Sequence, residues 1–362
     1  MMGDFFEIDF LDVETRKSGD AITVHYEVGG RRTIHVVDGG FDAMTQRIID
    51  HIVTHYDNKP IDHVVVTHPD GDHACGLRGV VERCNVGSLW MLRPWLYSEA
   101  LLPYFPTYNS ADRLAGRMKQ LYPYIADLER IADQKGVQIQ EPFQGARIGA
   151  FTVLAPTPQR YFECLLRSEK MPEMAGEPSN SLAGLLEELA QIGRALVNFA
   201  RGAWGYEVFS PEETSAENEM SVVQAAVIGG QRIVLTGDAG RGALAEAADF
   251  APMAGILLPG VHRFQVPHHG SRRNVSTELL DRWLGPRLPQ RPCAGQETFT
   301  AICSSAKADP DHPRRSVERA FVHRGARFIT TEEGDVTTRW NAPPRIGWGA
   351  LPVRPYPEDY EE

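Results

Sequence analysis

The stretch Val64-Val65-Val66-Thr67-His68-Pro69-Asp70-Gly71-Asp72-His73 is the most informative part of this sequence. Three consecutive valines predict a buried strand, and the His and Asp side chains that follow it would lie at the rim of a rigid scaffold. Such ligands suit Zn²⁺, Mn²⁺ or Fe²⁺ better than Cu⁺ or an iron–sulfur cluster. The alternative interpretation is a polar turn in which the Asp residues cap a helix. We therefore expect a metal site at the end of a strand.

The composition of the chain limits the number of domains, the kinds of partner and the cellular compartment that can be expected. With 362 residues, 42% of them hydrophobic, the chain can form one big domain or two ordinary ones. A formal net charge of -11 argues against a broad basic surface for nucleic acid but is compatible with a local basic patch. Acidic residues interrupt the first apolar run (Asp4, Glu7, Asp9), so no secretory signal is expected. No apolar run reaches the roughly 18 residues of a membrane span, and five scattered cysteines without a CxxC motif favour a cytoplasmic protein.

The order of strand and helix patterns predicts an α/β fold. The first predicted elements are strands over residues 5–10, 21–28 and 33–37, a helix over 42–56, a strand over 61–67 and a short helix over 76–84. Strand patterns resume after residue 218 and continue to residue 340. We expect one domain over residues 1–340, with helical insertions at about 95–135 and 157–217, and a Pro-rich tail over residues 341–362.

Both insertions are expected near the mouth of the site, or else as plain cover for sheet faces. Arg113–Ala132 is the best helical segment of the first insertion. Ser181–Ala200 is the best helical segment of the second insertion, and Ser181 can cap this helix. The acidic stretch Ser210–Asn218 is predicted to be a loop. The insertions and the tail are also candidate surfaces for a protein partner.

Two later strand ends carry further metal-ligand chemistry. Asp238 follows Thr236-Gly237, and His268 with His269 follows a strand over residues 263–267. Two metal ions about 3.5–4 Å apart need a bridging carboxylate, and Asp238 is the expected bridge. His68 and Asp70 would hold one ion, and Asp72 and His73 the other. We assign His268 to the second ion because it comes first after the strand, and His269 to the surroundings of the site or the substrate.

Arginine pairs next to these motifs indicate an anionic substrate. Arg272 and Arg273 follow His268-His269-Gly270-Ser271, and Arg314 and Arg315 follow His312-Pro313. A guanidinium group can donate two hydrogen bonds to the oxygens of one phosphate. Each arginine pair could equally form salt bridges on the surface. The expected substrate contacts are Ser271, Arg272, Arg273, Ser304, Ser305 and His312.

The motifs in this order resemble the metallo-β-lactamase superfamily. The set His68-Pro-Asp-Gly-Asp-His73, Asn218-Glu-Met-Ser-Val-Val223, Leu235-Thr-Gly-Asp-Ala239 and Val266-Pro-His-His-Gly-Ser271 is similar to the metallo-β-lactamase-like domain of the competence DNA-uptake channel proteins (ComEC) and their soluble relatives. Asp70 stands where most of the superfamily has a second His. The His that usually lies between the first motif and the bridging Asp is not visible, and Asn218 is the nearest candidate, as a ligand or as a turn residue.

The resemblance implies a four-layer αβ/βα sandwich and a binuclear hydrolase. A metal-bound hydroxide would attack the substrate, with Asp72 orienting it and Asp238 bridging the Zn²⁺ or Mn²⁺ ions. The Asp70 form of the motif favours phosphodiester cleavage, and a DNA or RNA nuclease is the leading expectation. The alternatives are a hydrolase of a small phosphoester or lactone, and a metal-stabilised sensing or assembly module.

Overall fold

The computed structural model describes residues 3–13, 15–171, 204–349 and 354–358. Their strands are Phe5–Phe10 (β1), Ala21–Val28 (β2), Arg31–Gly39 (β3), Ile61–Val65 (β4), Val86–Trp90 (β5), Gln138–Gln140 (β6), Arg147–Ile148 (β7), Phe151–Ala155 (β8), Val223–Ile228 (β9), Gln231–Leu235 (β10), Arg263–Gln265 (β11), Phe299–Cys303 (β12), Ala326–Thr330 (β13) and Val336–Trp340 (β14). Their α-helices are Met44–His55 (α1), Gly71–Arg83 (α2), Ser98–Leu101 (α3), Ala111–Leu121 (α4), Pro123–Lys135 (α5), Pro158–Arg167 (α6), Ala216–Glu219 (α7), Arg241–Phe250 (α8), Thr277–Leu284 (α9) and Arg315–His323 (α10).

The strands form two mixed sheets of the same design. In the described residues the first sheet has the order β14-β1-β2-β3-β4-β5-β6 and the second the order β13-β12-β11-β10-β9-β8-β7. Each sheet is antiparallel in one half and parallel in the other, from β3 to β6 and from β10 to β13. The parallel strands β3, β4, β10 and β11 all end at the same edge of the sandwich, and the predicted ligands follow β4, β10 and β11 there.

Three apolar clusters fill the space between four layers. Side chains of both sheets, such as Val37, Val65 and Leu235, interdigitate in the centre. A second cluster packs the outer face of the first sheet against α1, α2, α4 and α5. The third packs the second sheet against α8, α9 and α10. The valine run of β4 is buried on both faces because helices cover one face and the other sheet covers the opposite one. The predicted four-layer αβ/βα sandwich is confirmed.

Some element boundaries differ from the sequence-based prediction for local reasons. The predicted helix over 76–84 begins at Gly71, so Asp72 and His73 lie in its first turn. The segment Arg113–Ala132 is split into α4 and α5 because Pro123 cannot continue a helix and starts a new one. The end of the predicted loop Ser210–Asn218 is helical, capped by the Ser215 hydroxyl. Helix α9 was not predicted.

The insertions and the tail have different surroundings. Helices α4 and α5 of the first insertion cover the first sheet, which matches the interpretation as structural cover. The predicted helix over Ser181–Ala200 lies outside the described residues. The described residues of the tail contact the domain, where Arg345 pairs with Asp9 and Glu7 and the Tyr356 side chain is buried. Within the described part of the chain, no helix combines the length and apolar character that crossing a bilayer would require.

Gly76 sets how closely α2 approaches the end of β3. A Cβ at Gly76 would lie 2.0 Å from the Gly39 carbonyl oxygen. We expect Gly76→Ala to lower the free energy of unfolding by about 1–3 kcal/mol, because the backbone must move to relieve this overlap. Urea unfolding measures it, with Gly116→Ala in α4 as the control, since a Cβ there meets no described atom within 4 Å. Equal stability of the two variants would contradict this packing.

Candidate metal centre

The carboxylate of Asp238 lies between two pairs of histidines. Its Oδ1 is 3.3 Å from His73 Nε2 and 3.7 Å from His269 Nε2. Its Oδ2 is 3.8 Å from His68 Nε2 and 3.7 Å from His268 Nε2. We call these two groups of donors the His73 side and the His68 side. One carboxylate with an oxygen towards each group is the arrangement that a bridging ligand of two ions requires.

Two more carboxylates extend the groups, one on each side. Asp70 Oδ2 lies 4.0 Å from His68 Nε2, and Asp72 Oδ2 lies 4.0 Å from His269 Nε2. Asp70 precedes α2 and Asp72 is in its first turn, so the start of this helix directs them to different sides. The predicted ligands His68, Asp70, Asp72, His73 and Asp238 are thus brought together around one point.

Hydrogen bonds at Nδ1 orient each imidazole. His73 donates to Asp38 Oδ2 over 2.8 Å, and His269 donates to the Ser304 carbonyl over 3.0 Å. His68 Nδ1 lies 3.0 Å from the Thr67 hydroxyl oxygen, which itself donates to Asp38 and can therefore accept. In the neutral form that binds a metal ion, a proton held at Nδ1 leaves the lone pair at Nε2, the ring atom that faces Asp238.

The Nδ1 of His268 has its own amide partner. It lies 3.0 Å from Asn274 Oδ1, while the Asn274 amide donates to the backbone carbonyl of Asp238 over 2.9 Å. Asn274 thereby connects the histidine to the turn that carries the central carboxylate. All four histidines therefore present the same nitrogen to the centre.

The unpaired atoms at the centre fit a metal ion. The Nε2 atoms of His68, His73 and His269 and the Oδ1 of Asp238 are buried, and none has a hydrogen-bond partner among the described residues. Unpartnered buried polar atoms are costly and rare, and here four of them converge. Asp20, His73, Asp238 and His269 lie close enough together to share one ion. Asp38, His68 and His73 also lie close together, but Asp38 accepts from His73 Nδ1 and so orients that ring rather than facing the unpaired Nε2 atoms. Imidazole and carboxylate donors in this number suit a divalent metal ion.

Charge at the centre is balanced between carboxylates and imidazoles. Burial alone would raise the pKa of Asp238, but the facing His73, His268 and His269 outweigh it and hold the pKa well below its usual range. Burial disfavours a charged His73, but Asp238 and Asp38 outweigh it and raise its pKa well above the ordinary value. Burial lowers the pKa of His68. Because a ligating histidine is neutral, metal binding must release the His73 proton.

A left-handed turn makes adjacent histidines serve opposite sides. His268 and His269 have φ of 47° and 52°, values that non-glycine residues seldom adopt. We assigned the last ligand of the Asp72–His73 group to His268, but the geometry places His269 there and His268 on the His68 side. Asn218, the candidate for the missing histidine, lies 3.1 Å from His268 Nδ1 and contacts that ring rather than Asp238.

Two buried acids of the centre were missed by sequence reasoning. Asp38 accepts from Thr67 and His73, and Asp20 Oδ2 lies 3.8 Å from His73 Nδ1 and accepts from Gln265 over 2.8 Å. Burial raises the pKa of Asp20 to about 7 despite the opposing charge of His73. Asp38 follows the apolar pair Val36-Val37 and precedes two glycines, a signal similar to the one that identified the first motif.

An open cleft of about 650 Å³ leads to Asp238. Its lining residues are Asp70, Asp72, Ser210, Glu212, Thr214, Ser215, Asn218, Asp238, His268, Ser271, Arg272, Arg273, Asp311, His312 and Arg314. The second insertion thus contributes a wall, as expected. Ser304 and Ser305, predicted as substrate contacts, are instead buried beside β12 and do not line this cleft. The Ser304 carbonyl holds His269.

Three of the four predicted arginines, Arg272, Arg273 and Arg314, line the cleft, and two of them form ion pairs there. Arg273 pairs with Glu212, and Arg314 pairs with Asp311 over 2.7 Å. His312 stacks on His268 with ring centroids 5.5 Å apart. Burial and the two neighbouring histidines lower the pKa of His312 to about 4, so its ring is neutral near pH 7.

Asp38→Asn tests how the Nδ1 partners orient the centre. Asp38 has φ of 56°, which Asn also tolerates, so the backbone is expected to persist. We expect metal affinity to fall about 10–100-fold, because His73 loses the carboxylate that fixes its tautomer. Calorimetric titration with Zn²⁺ measures the affinity. Asp62→Asn is the control, because Asp62 also accepts a hydrogen bond within the first sheet, from the backbone N–H of Ile34 in β3, but has no contact with a histidine of the centre. Unchanged affinity in Asp38→Asn would refute this role.

Comparisons with known proteins found one matching family model and several similar solved structures. Residues 22–144, about a third of the chain, match the family model for the metallo-beta-lactamase superfamily. Among solved structures, the hydrolase AbOPH of the beta lactamase superfamily is 12% identical, with a TM-score of 0.29 over 60% of this chain and 56% of AbOPH. A beta-lactamase domain protein from Burkholderia ambifaria is 15% identical, with a TM-score of 0.32 over 74% of this chain and 70% of that protein. No curated protein matches the sequence.

Proposed function

We propose that this protein is a binuclear metallohydrolase that cleaves phosphodiester bonds, with DNA or RNA as its substrate class. The observation that carries the proposal is the Asp238 carboxylate, which has a separate donor group at each oxygen on the floor of an arginine-rimmed cleft. The family match over residues 22–144 supports the hydrolase part, since that superfamily consists mostly of metal-dependent hydrolases. The resemblance to the ComEC branch motivates the choice of nucleic acid.

The residues of the chain divide the work between the two sides. When bound, two divalent ions supply Lewis acidity and lower the pKa of a water molecule towards about 7. His68, His268 and Asp70 would hold one ion and His73, His269 and Asp72 the other. Asp238 keeps the two sides in register through its two oxygens. Because Asp72 is about one-third exposed at the cleft, it can accept a hydrogen bond from the attacking water and orient it.

The rim supplies groups that match a phosphate. Arg273 and Arg314 line the cleft, and the hydroxyl of Ser271 accepts from the backbone N–H of Arg273 over 3.3 Å. Guanidinium groups form charge-assisted pairs of hydrogen bonds with phosphate oxygens. Both arginines already have carboxylate partners, so an incoming phosphate would exchange one anion for another. The phosphate must therefore compete with Glu212 and Asp311 for these two guanidinium groups.

A substrate panel tests the proposed reaction. The purified protein, loaded with Mn²⁺ or Zn²⁺, is incubated with single- and double-stranded DNA, RNA and bis(p-nitrophenyl) phosphate, with a chelator-treated sample as the control. We expect metal-dependent cleavage of the diester and of at least one nucleic acid. If all of these substrates stay intact with Mn²⁺, the proposal is wrong.

A second candidate is a hydrolase of a small phosphoester or lactone. The observation in its favour is the wall that Ser210–Asn218 forms over the cleft, whose volume suits a small ligand. A phosphocholine-type ester and a lactone therefore belong in the same panel. Turnover of these compounds that oligonucleotides do not inhibit would favour this candidate over a nuclease.

A metal-stabilised sensing or assembly module is the candidate from another class. Its partner surfaces would be the helical insertions or the tail. The complete set of inward-facing donors gives catalysis the better support. An Asp238→Ala variant that is folded and still produces the biological effect would favour the sensing module.

A further inference from the structure

Lys170 reaches the metal centre from a distant part of the sequence. Its Nζ lies 2.5 Å from Asp70 Oδ1, although the two residues are 100 positions apart. The other oxygen of the same carboxylate, Oδ2, is the one that faces His68 Nε2 at 4.0 Å. Asp70 thus presents one oxygen to the lysine and one to the His68 side.

A buried hydrogen-bond network holds the backbone of Lys170 in place. The Lys170 N–H donates to the Ser168 hydroxyl over 3.2 Å. Ser168 donates to Glu217 over 2.5 Å, and the Tyr122 hydroxyl donates to the same carboxylate over 3.1 Å. Ser168, Glu217 and Tyr122 are all buried. The lysine is therefore anchored by both insertions rather than reaching Asp70 by chance.

We propose that Lys170 is a positioning residue that fixes Asp70 as a one-oxygen ligand of the His68 side and balances its negative charge. The Lys170 ammonium engages Oδ1, so that only Oδ2 remains for an ion beside His68. Its positive charge offsets the carboxylate that this chain carries at position 70. Because its partner Asp70 lines the cleft, the same charge lies close enough to attract an anionic substrate.

The positive charge of Lys170 is expected to weaken metal binding and to strengthen substrate binding. A cation beside a cation site weakens metal binding by repulsion and by competition for Asp70. A cation beside an anion site strengthens substrate binding. The second consequence rests on the proposed function, while the first requires only that the His68 side binds a metal ion.

The test compares Lys170→Met with the wild-type protein. Calorimetric titration of the metal-free protein with Mn²⁺ should give a dissociation constant roughly tenfold lower for one of the bound ions. Inorganic phosphate, as a competitive inhibitor of bis(p-nitrophenyl) phosphate cleavage, should bind roughly five- to tenfold more weakly, with KM affected more than kcat. Lys170→Arg should restore both values because it keeps the charge and a donor to Asp70.

Lys119→Met is the matched control. Lys119 is exposed to a similar degree, lies 2.5 Å from Glu129 and sits over the Trp95 ring, but its carboxylate partner Glu129, unlike Asp70, does not line the cleft. Neither measured constant should change in this variant. Unchanged Mn²⁺ and phosphate binding in Lys170→Met would overturn the inference. Weaker binding of both Mn²⁺ and phosphate in Lys170→Met, together with a lower melting temperature, would also overturn it, because that result indicates a purely structural role.

The outcomes separate this inference from the proposed function. A protein that cleaves no phosphodiester but binds Mn²⁺ more tightly after Lys170→Met would refute the proposed function and keep the role of Lys170 at Asp70. For such a protein, direct calorimetric titration of the Mn²⁺-loaded form with phosphate replaces the inhibition measurement. Cleavage by the wild-type protein, with no change of either constant in Lys170→Met, would refute the inference alone.

Discussion

Asp238→Ala is expected to abolish metal-dependent cleavage and to reduce the number of bound ions. Both donor groups meet at this carboxylate, so its removal takes one ligand from each side at once. We expect the rate to fall at least about 1,000-fold, equivalent to about 4 kcal/mol of transition-state stabilisation. The measurements are turnover of bis(p-nitrophenyl) phosphate with Mn²⁺ and metal content of the purified protein.

A control separates this loss from misfolding. Asp249→Asn removes a carboxylate from α8, where Asp249 pairs with Arg282 on the surface over 2.6 Å. This variant should keep wild-type turnover and metal content. Asp238→Asn adds a second comparison, because it preserves the shape of the side chain while removing its charge. If Asp238→Ala keeps full activity and two ions per chain, the assignment of Asp238 as the bridge is wrong.

Glu207→Gln is expected to have the largest effect on stability. The Glu207 side chain is fully buried and accepts from His323 Nδ1 over 3.0 Å, from Arg324 Nη1 over 2.6 Å and from the Thr277 hydroxyl over 2.8 Å. Loss of its charge leaves a buried guanidinium partly uncompensated. The expected decrease in the free energy of unfolding is about 3–5 kcal/mol near pH 7. Urea unfolding measures the decrease.

The pH dependence of that loss follows from the pKa of Glu207. Burial alone would raise the pKa, but the hydrogen bonds from His323 and Arg324 outweigh it and lower it to about 2, from an ordinary value of 4.5. A lowered folded-state pKa contributes stability above pH 4.5, and this contribution disappears as the pH falls through about 2. The difference between wild type and Glu207→Gln should therefore shrink between pH 4.5 and pH 2. Glu333→Gln, at an exposed pair with Lys307, should show little difference at any pH, and the same behaviour in Glu207→Gln would contradict the prediction.

Much of the fold and part of the site could be predicted from the sequence. Runs such as Val64-Val65-Val66 predict strands because a pleated backbone alternates its faces and a doubly covered strand is apolar on both. Polar motifs directly after such runs then mark the edge where ligands meet. His68, Asp70, Asp72, His73 and Asp238 were all identified in this way, and the structure brings them together.

What the sequence could not predict depends on contacts between distant segments. The positive φ angles of His268 and His269 decide which ring faces which oxygen of Asp238, and no local pattern specifies that turn. The burial of Ser304 and Ser305 depends on how β12 sits inside the second sheet. Helix α9 was missed because its short amphipathic pattern is recognisable only against the cluster that it covers.

The sequence by itself determined which chemical groups meet at one edge of the sandwich, because strand periodicity and chain order are local properties. Only the tertiary structure decided how those groups are paired. The Asp38–His73 hydrogen bond and the Lys170–Asp70 ion pair join segments 35 and 100 residues apart. Such pairs form only when sheets and helices pack, since packing sets the distances and the burial on which their strength depends.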